Sequence, residues 1–174
     1  MNPKNIVIFM PSIETGGADK NLFVISNFLA KNFKNISVIS ASKIDKNKFD
    51  HDIEFISPRL FTWNKFGRNI KSFISILILI KIFFKKKNIL VLSFQSNISA
   101  IILCKIFFKK IITRSNSFPN NWTNNFIKKY IFKIVYPLAD NNIVNSMQTK
   151  KDFIKSYNTK PTCIYNPVDI KKIK

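Results

Sequence analysis

Glycine is almost absent from this chain: three residues in 174, at Gly16, Gly17 and Gly67. Phosphate-cradling loops rely on several, because only a residue without a Cβ turns freely and lets a ligand approach the backbone. The segment Thr15-Gly16-Gly17-Ala18-Asp19-Lys20-Asn21 is therefore not GxGxxG, since Lys20 and Asn21 occupy the spacing of the remaining glycines. It is not a P-loop either, because no Gly-Lys-Ser/Thr follows. Histidine occurs once, as His51, and glutamate twice, as Glu14 and Glu54. A single imidazole in the polar link 47–52 excludes Ser/His/Asp and Cys/His catalysis and any multi-histidine metal site. Two glutamates leave little material for a paired-carboxylate hydrolase. Cys104 and Cys163 stand in no CxxC or CxxH spacing, which argues against a zinc site or a disulfide framework and fits a reducing compartment.

Long apolar runs are missing as well. The run 6–10 is too short for the core of a signal peptide. The run 73–80 is cut by Lys81, and 88–104 is interrupted by Ser93, Gln95, Ser96 and Asn97. Neither supplies the ~20 apolar residues of a spanning helix. The expectation is a cytoplasmic protein, with peripheral contact at the cytoplasmic face of the inner membrane left open.

What the chain does have is apolar material: 46% hydrophobic and 14% aromatic, with Gly and Pro together only 10 residues. That excludes disordered and collagenous classes, and the length suits one domain. The formal charge is +20, from 29 basic and 9 acidic residues, of which only Arg59, Arg68 and Arg114 are arginine. Lys, Asn, Ile and Phe number 26, 21, 30 and 18. All four have A/T-rich codons, so genome composition accounts for part of the lysine excess. Whatever its origin, such a body attracts phosphates and anionic membrane surfaces. The charge is spread evenly, +9 over residues 1–87 and +11 over 88–174. With arginine scarce and no basic stripe, a specific nucleic-acid reader is not expected.

Along the chain, apolar runs at 6–10, 36–39, 53–56, 89–92, 111–113, 143–145 and 163–165 predict strands. The uninterrupted ones suit a parallel sheet buried on both faces. Between them, helical spacing predicts a helix after Gly17 with Leu22, Ile25, Phe28, Leu29 and Phe33 on one face. Further helices are predicted at 69–84, 98–108, 124–138 and 149–157. Strand and helix alternate without repeats, which predicts one α/β domain: a Rossmann-like, doubly wound parallel sheet with helices on both faces.

In such folds ligands bind beyond the carboxyl ends of the strands, so three segments are candidates. Gly16 and Gly17 precede a helix amino terminus that offers free N–H groups to an anion, or else form a tight turn with no ligand. Ser93-Phe94-Gln95-Ser96-Asn97 places Gln95 and Asn97 where they could bond sugar hydroxyls, or places Ser96 or Asn97 as a helix cap. Arg114 follows the fifth strand with a guanidinium suited to phosphate or carboxylate, or is a surface arginine in a loop.

The first strand followed by Gly16-Gly17-Ala18-Asp19-Lys20 resembles the opening of GT-B-fold glycosyltransferases of the group 1 (family four) type, which commonly read Gly-Gly-Ala-Glu-Arg. Asn145-Ser146-Met147-Gln148-Thr149 and Tyr165-Asn166-Pro167-Val168-Asp169 are similar to the closing part of that family's amino-terminal domain. Arg114 falls where many members carry an Arg. The resemblance implies that residues 1–169 are the acceptor-side Rossmann-like domain. Residues 170–174 would begin an interdomain linker, and the donor-binding domain with its Glu-x7-Glu motif would be absent from this chain. It implies transfer of a sugar from a nucleotide sugar, as substrate and not as cofactor, to a glycan or lipid-linked acceptor in polysaccharide synthesis at the cell envelope. Gly16, Gly17, Lys20 and Arg114 would lie on the donor-phosphate side of the cleft, and Gln95 and Asn97 on the acceptor side. No resident cofactor or metal is implied. The family's amino-terminal catalytic His has no evident counterpart, so no catalytic residue is assigned, and the chain alone is expected to be inactive.

The alternative is a non-catalytic basic module for an anionic membrane surface or a phosphorylated ligand. It rests on Lys81-Ile82-Phe83-Phe84-Lys85-Lys86-Lys87 and Lys105-Ile106-Phe107-Phe108-Lys109-Lys110, where apolar and basic residues interleave. Equally, Ile and Phe there could face the sheet while Lys snorkels to water.

Overall fold

The computed structural model describes residues 5–13, 17–42, 46–58 and 65–167. Seven strands form one sheet: β1 (Asn5–Phe9), β2 (Ile36–Ile39), β3 (Ile53–Ile56), β4 (Ile89–Ser93), β5 (Lys110–Ser115), β6 (Asn141–Val144) and β7 (Thr162–Cys163). Their order is β3-β2-β1-β4-β5-β6-β7, and every pairing is parallel. β1 lies at the centre, where Ile8 pairs with Val38 on one side and Leu92 on the other. Ile6, Val7, Ile8 and Phe9 are all buried, the outcome expected of an apolar run covered on both faces.

Five helices connect the strands: α1 (Gly17–Asn32), α2 (Arg68–Lys85), α3 (Asn97–Ile106), α4 (Phe126–Val135) and α5 (Met147–Tyr157). Two cores sit on opposite faces of the sheet. On one, Leu22 of α1 and Phe49 pack with Ile6, Ile8, Ile36, Val38 and Leu92. On the other, Leu79, Ile82 and Phe83 of α2 pack with residues of α3, Val135 of α4 and Phe153 and Tyr157 of α5. The helices of β1–β2 and β4–β5 thus leave on opposite sides, so the boundary between β1 and β4 is the switch point of the doubly wound sheet.

The structure shifts several predicted elements. Phe28 and Phe33 do not belong to the buried side of the first helix and are exposed; Leu22 and Ser26 are its fully buried residues. The fifth strand runs beyond Thr113 to Ser115, and the sixth begins at Asn141. Asn142 looks like loop material in sequence, but it is buried and satisfied. Thr113 Oγ1 donates to its Oδ1 at 2.6 Å, and its Nδ2 donates to Tyr136 O at 3.1 Å. The helix predicted at 124–138 starts at Phe126, because the Asn125 side chain accepts from the N–H groups of Ile127 and Lys128 as its cap. It ends in a 3-10 turn, Tyr136–Leu138, that carries Pro137.

Candidate functional site: the carboxyl edge of β1, β4 and β5

A row of small polar residues marks the carboxyl ends of the strands. Ser12, Ser40, Ser42, Ser93, Asn97, Thr113 and Ser115 are all buried there, and hydrogen bonds account for them. Across the switch point, the Ser12 N–H donates to Gln95 Oε1 at 3.1 Å, while on the β2 side the Ile13 N–H donates to Ser42 Oγ at 3.0 Å. Among the described residues the other end of the Gln95 amide, Nε2, donates to none, and the half-buried side chain lines the cleft described below.

Asn97 holds this edge together. Its Oδ1 accepts from Ser93 Oγ at 2.8 Å, and its Nδ2 reaches Arg114 O and Ser115 Oγ, each at 3.3 Å. The Tyr136 hydroxyl meets Ser115 and Asn97 side chains; burial pushes its pKa up to about 12, with those bonds pulling the other way. Asn97 is thus spent on joining β4, β5 and the end of α4. Of the two alternatives for this segment, Ser96 does occupy the cap position of α3, but neither its side chain nor that of Asn97 makes a capping bond. Ser96 instead adopts a left-handed conformation, φ 53°, and its Oγ lies 2.7 Å from Ser72 Oγ of α2. A non-glycine residue held in that region carries backbone strain, here at the mouth of the cleft.

Arg114 is only 2% exposed, so it is not a surface arginine. Its Nη2 donates to Asn166 Oδ1 at 2.9 Å and to Ile164 O at 3.4 Å, fixing the chain just beyond β7. Its Nε is shielded from solvent without a partner. Burial lowers its pKa from the ordinary arginine value, yet arginine stays charged. Among the described residues no carboxylate pairs with it, and a buried cation without a counter-ion is costly.

Above this edge opens a cleft of about 740 Å3, lined by the start of α2 (Arg68, Asn69, Ser72, Phe73), by Phe94–Ser99, by Arg114, Ser115 and Asn116, and by Phe132 and Tyr136 of the α4 region. Gln95 and Asn97 meet Arg114, 17 residues further along the chain from Asn97, here. Gly17 and Lys20 do not line it; both are exposed in the first turn of α1, on the other side of the switch point. Gly16 lies outside the described residues. Gly17 has no positive φ, and a Cβ added there would meet nothing within 4 Å. The fold itself therefore makes no demand for glycine at that position. The α2 contribution went unrecognised in sequence, although Arg68, one of three arginines just after Gly67, was its signal. Asn116 is the other omission: its Oδ1 is buried without a partner beside the cleft. Among the described residues, no group of three or more His, Cys, Asp or Glu could hold a metal ion.

No family model matches the sequence, and no curated protein matches it. Solved structures do match in fold. Alr3699/HepE of Anabaena in complex with UDP superposes with a TM-score of 0.67 at 13% identity, over 96% of this chain and 45% of that one. The complex of the same protein with UDP-glucose gives 0.65 at 13% identity, over 96% and 45%. UGT2 of Phytolacca americana, complexed with UDP-2fluoro-glucose and pterostilbene, gives 0.60 at 9%, over 94% and 53%. The chain spans about half the length of the solved structures it matches. It has the fold of about half of a GT-B-fold protein, the fold of these neighbours.

Proposed function

We propose that this chain is the acceptor-side half of a glycosyltransferase, which moves a sugar from a nucleotide donor to a glycan or lipid-linked acceptor. A second, donor-binding half completes the cleft. The observation that carries this reading is the cleft at the carboxyl ends of β4 and β5, where Gln95 and Asn116 stand among apolar walls, in a sheet whose structural neighbours include proteins solved with UDP and UDP-glucose. Gln95, with a free amide end at the cleft, is the acceptor-hydroxyl ligand, and Asn116 offers a buried acceptor oxygen beside it. Asn97 positions both strand ends and leaves the sugar to its neighbours. Arg114, buried and without a counter-ion among the described residues, contributes positive potential from beneath the cleft and does not grip the phosphate directly. Gly17 and Lys20 approach the donor phosphates from the α1 side.

On its own the chain should not turn over a nucleotide sugar, because the donor half supplies much of the binding that acts in the transition state. It should still bind an acceptor glycan. On a glycan array, Gln95→Ala should weaken that binding roughly tenfold, the order of one hydrogen bond to a polar ligand, while Lys31→Ala leaves it unchanged. Turnover by the isolated chain would overturn the half-site reading. Absence of any carbohydrate binding, with circular dichroism showing a folded protein, would overturn the acceptor assignment.

A further inference from the structure

Residues 55–139 contain 15 Lys and Arg and not one Asp or Glu. This stretch builds α2, α3 and α4, which pack side by side on one face of the sheet. Their outward sides therefore form one surface, and that surface is as apolar as it is basic. On α4, Phe126, Ile127, Tyr130, Ile131 and Ile134 are exposed, Phe126 by 85%. These positions share one side of the helix, with Lys128, Lys129 and Lys133 around them. The basic-apolar runs behave in two ways: Ile82 and Phe83 turn inward, whereas Phe84, Ile106 and Phe108 stand in solvent.

Phe108 is the most telling residue. It occupies the left-handed position after α3, φ 52°, where the Phe108 N–H donates to Lys105 O and the Lys109 N–H to Cys104 O. Glycine is the usual occupant of that position, yet here a phenylalanine stands 95% exposed. A ring held out into water on a strained backbone gains nothing from the fold and suits a partner that receives it.

We infer that the outward face of α2, α3 and α4 is a docking surface for an anionic lipid membrane. The apolar side chains enter the headgroup boundary while the lysines meet lipid phosphate. A second copy of the chain would bring like charge against like, and a nucleic acid would leave the aliphatic side chains unburied. Phe84, Ile106 and Phe108 sit at the carboxyl ends of their helices, away from the cleft at the opposite edge of the sheet. For these three residues the inference does not rest on the transferase reading, whereas Phe126 and Ile127 stand at the amino end of α4, on the cleft's edge of the sheet. Among the described residues no helix is long and apolar enough to cross a membrane, so the mode of contact is interfacial.

Flotation of the 174-residue chain with phosphatidylcholine vesicles, with and without phosphatidylglycerol, across rising salt, is the test. Binding is expected to the anionic vesicles and to weaken with salt. Lys128→Glu with Lys133→Glu should weaken it roughly tenfold or more. Lys31→Glu with Lys34→Glu, an equal change in net charge by the other sheet face, should change it far less. Phe108→Gly should also weaken it, and Tyr130→Trp should give fluorescence that shifts to the blue when anionic vesicles are added. No binding at low salt, equal loss from both charge pairs, or an unmoved emission would overturn the inference. So would sedimentation showing a dimer that the α4 substitutions dissociate, which would assign the face to a second copy.

Discussion

Gly17 is a residue whose purpose the fold does not explain. It opens α1, lacks a positive φ and has open space where a Cβ would stand. Replacing it with Ala should leave thermal stability unchanged or raise it, by up to about 1 kcal/mol of helix propensity. If donor phosphates approach this turn, the same methyl group will obstruct them. In a two-half enzyme of the kind proposed above, Gly17→Ala should therefore raise KM for the nucleotide sugar without lowering Tm. A variant with unchanged KM would remove Gly17 from the donor side. Arg114 illustrates the opposite case. Its residue type and its place after β5 were readable in sequence, but its burial and its bonds to Asn166 and Ile164 depend on how β7 returns beside β6.

Among the elements, the joint between α3, β5 and β6 is pinned by Asp140. Its Oδ2 accepts from the Ile111 N–H at 2.9 Å and from Lys105 Nζ at 3.0 Å. Burial raises the carboxyl pKa, but these two bonds outweigh it and leave the group below the ordinary carboxylate value. Glu54 is lowered too, first by its bond to Lys86, with burial opposing and Ser37 assisting. A carboxylate whose folded pKa is depressed contributes stability that is present above its unfolded pKa and lost as pH falls through the folded one. Acid unfolding should therefore steepen below about pH 4. Asp140→Asn should be less stable than the parent at neutral pH, with the difference shrinking toward acid pH. Chemical denaturation at a series of pH values measures this directly, and a constant difference would show that the carboxylate charge is not the source.

At the scale of the whole molecule, a charge of +20 on 174 residues is self-repelling. Nine acidic residues stand against 29 basic ones, and the two pairs described, Lys86–Glu54 and Lys105–Asp140, are partly solvated and individually weak. Screening should relieve the repulsion. Tm should rise with ionic strength, and at equal ionic strength phosphate or sulfate should raise it more than chloride if the buried Arg114 and the basic helix face take up anions. A Tm that falls with salt would mean that specific ion pairs outweigh the net field. The same excess charge opposes pairing of the apolar outward face with its own copy.

The sequence by itself determined the architecture. Uninterrupted apolar runs alternating with helical spacing have few solutions other than a parallel sheet covered on both faces, since each run must bury two sides at once. The order of the strand ends then pointed to Gln95, Asn97 and Arg114, because ligands gather where helices leave a sheet in opposite directions. Tertiary structure alone decided what those residues do. Asn97 is consumed in joining β4 to β5, Arg114 is buried without a counter-ion among the described residues, and the start of α2 forms a cleft wall. It also decided which side of each helix meets water. Periodicity could not resolve this where apolar residues surround the helix, as in α2 and α4: a pattern records which residues are apolar, whereas packing selects which of them find a neighbour.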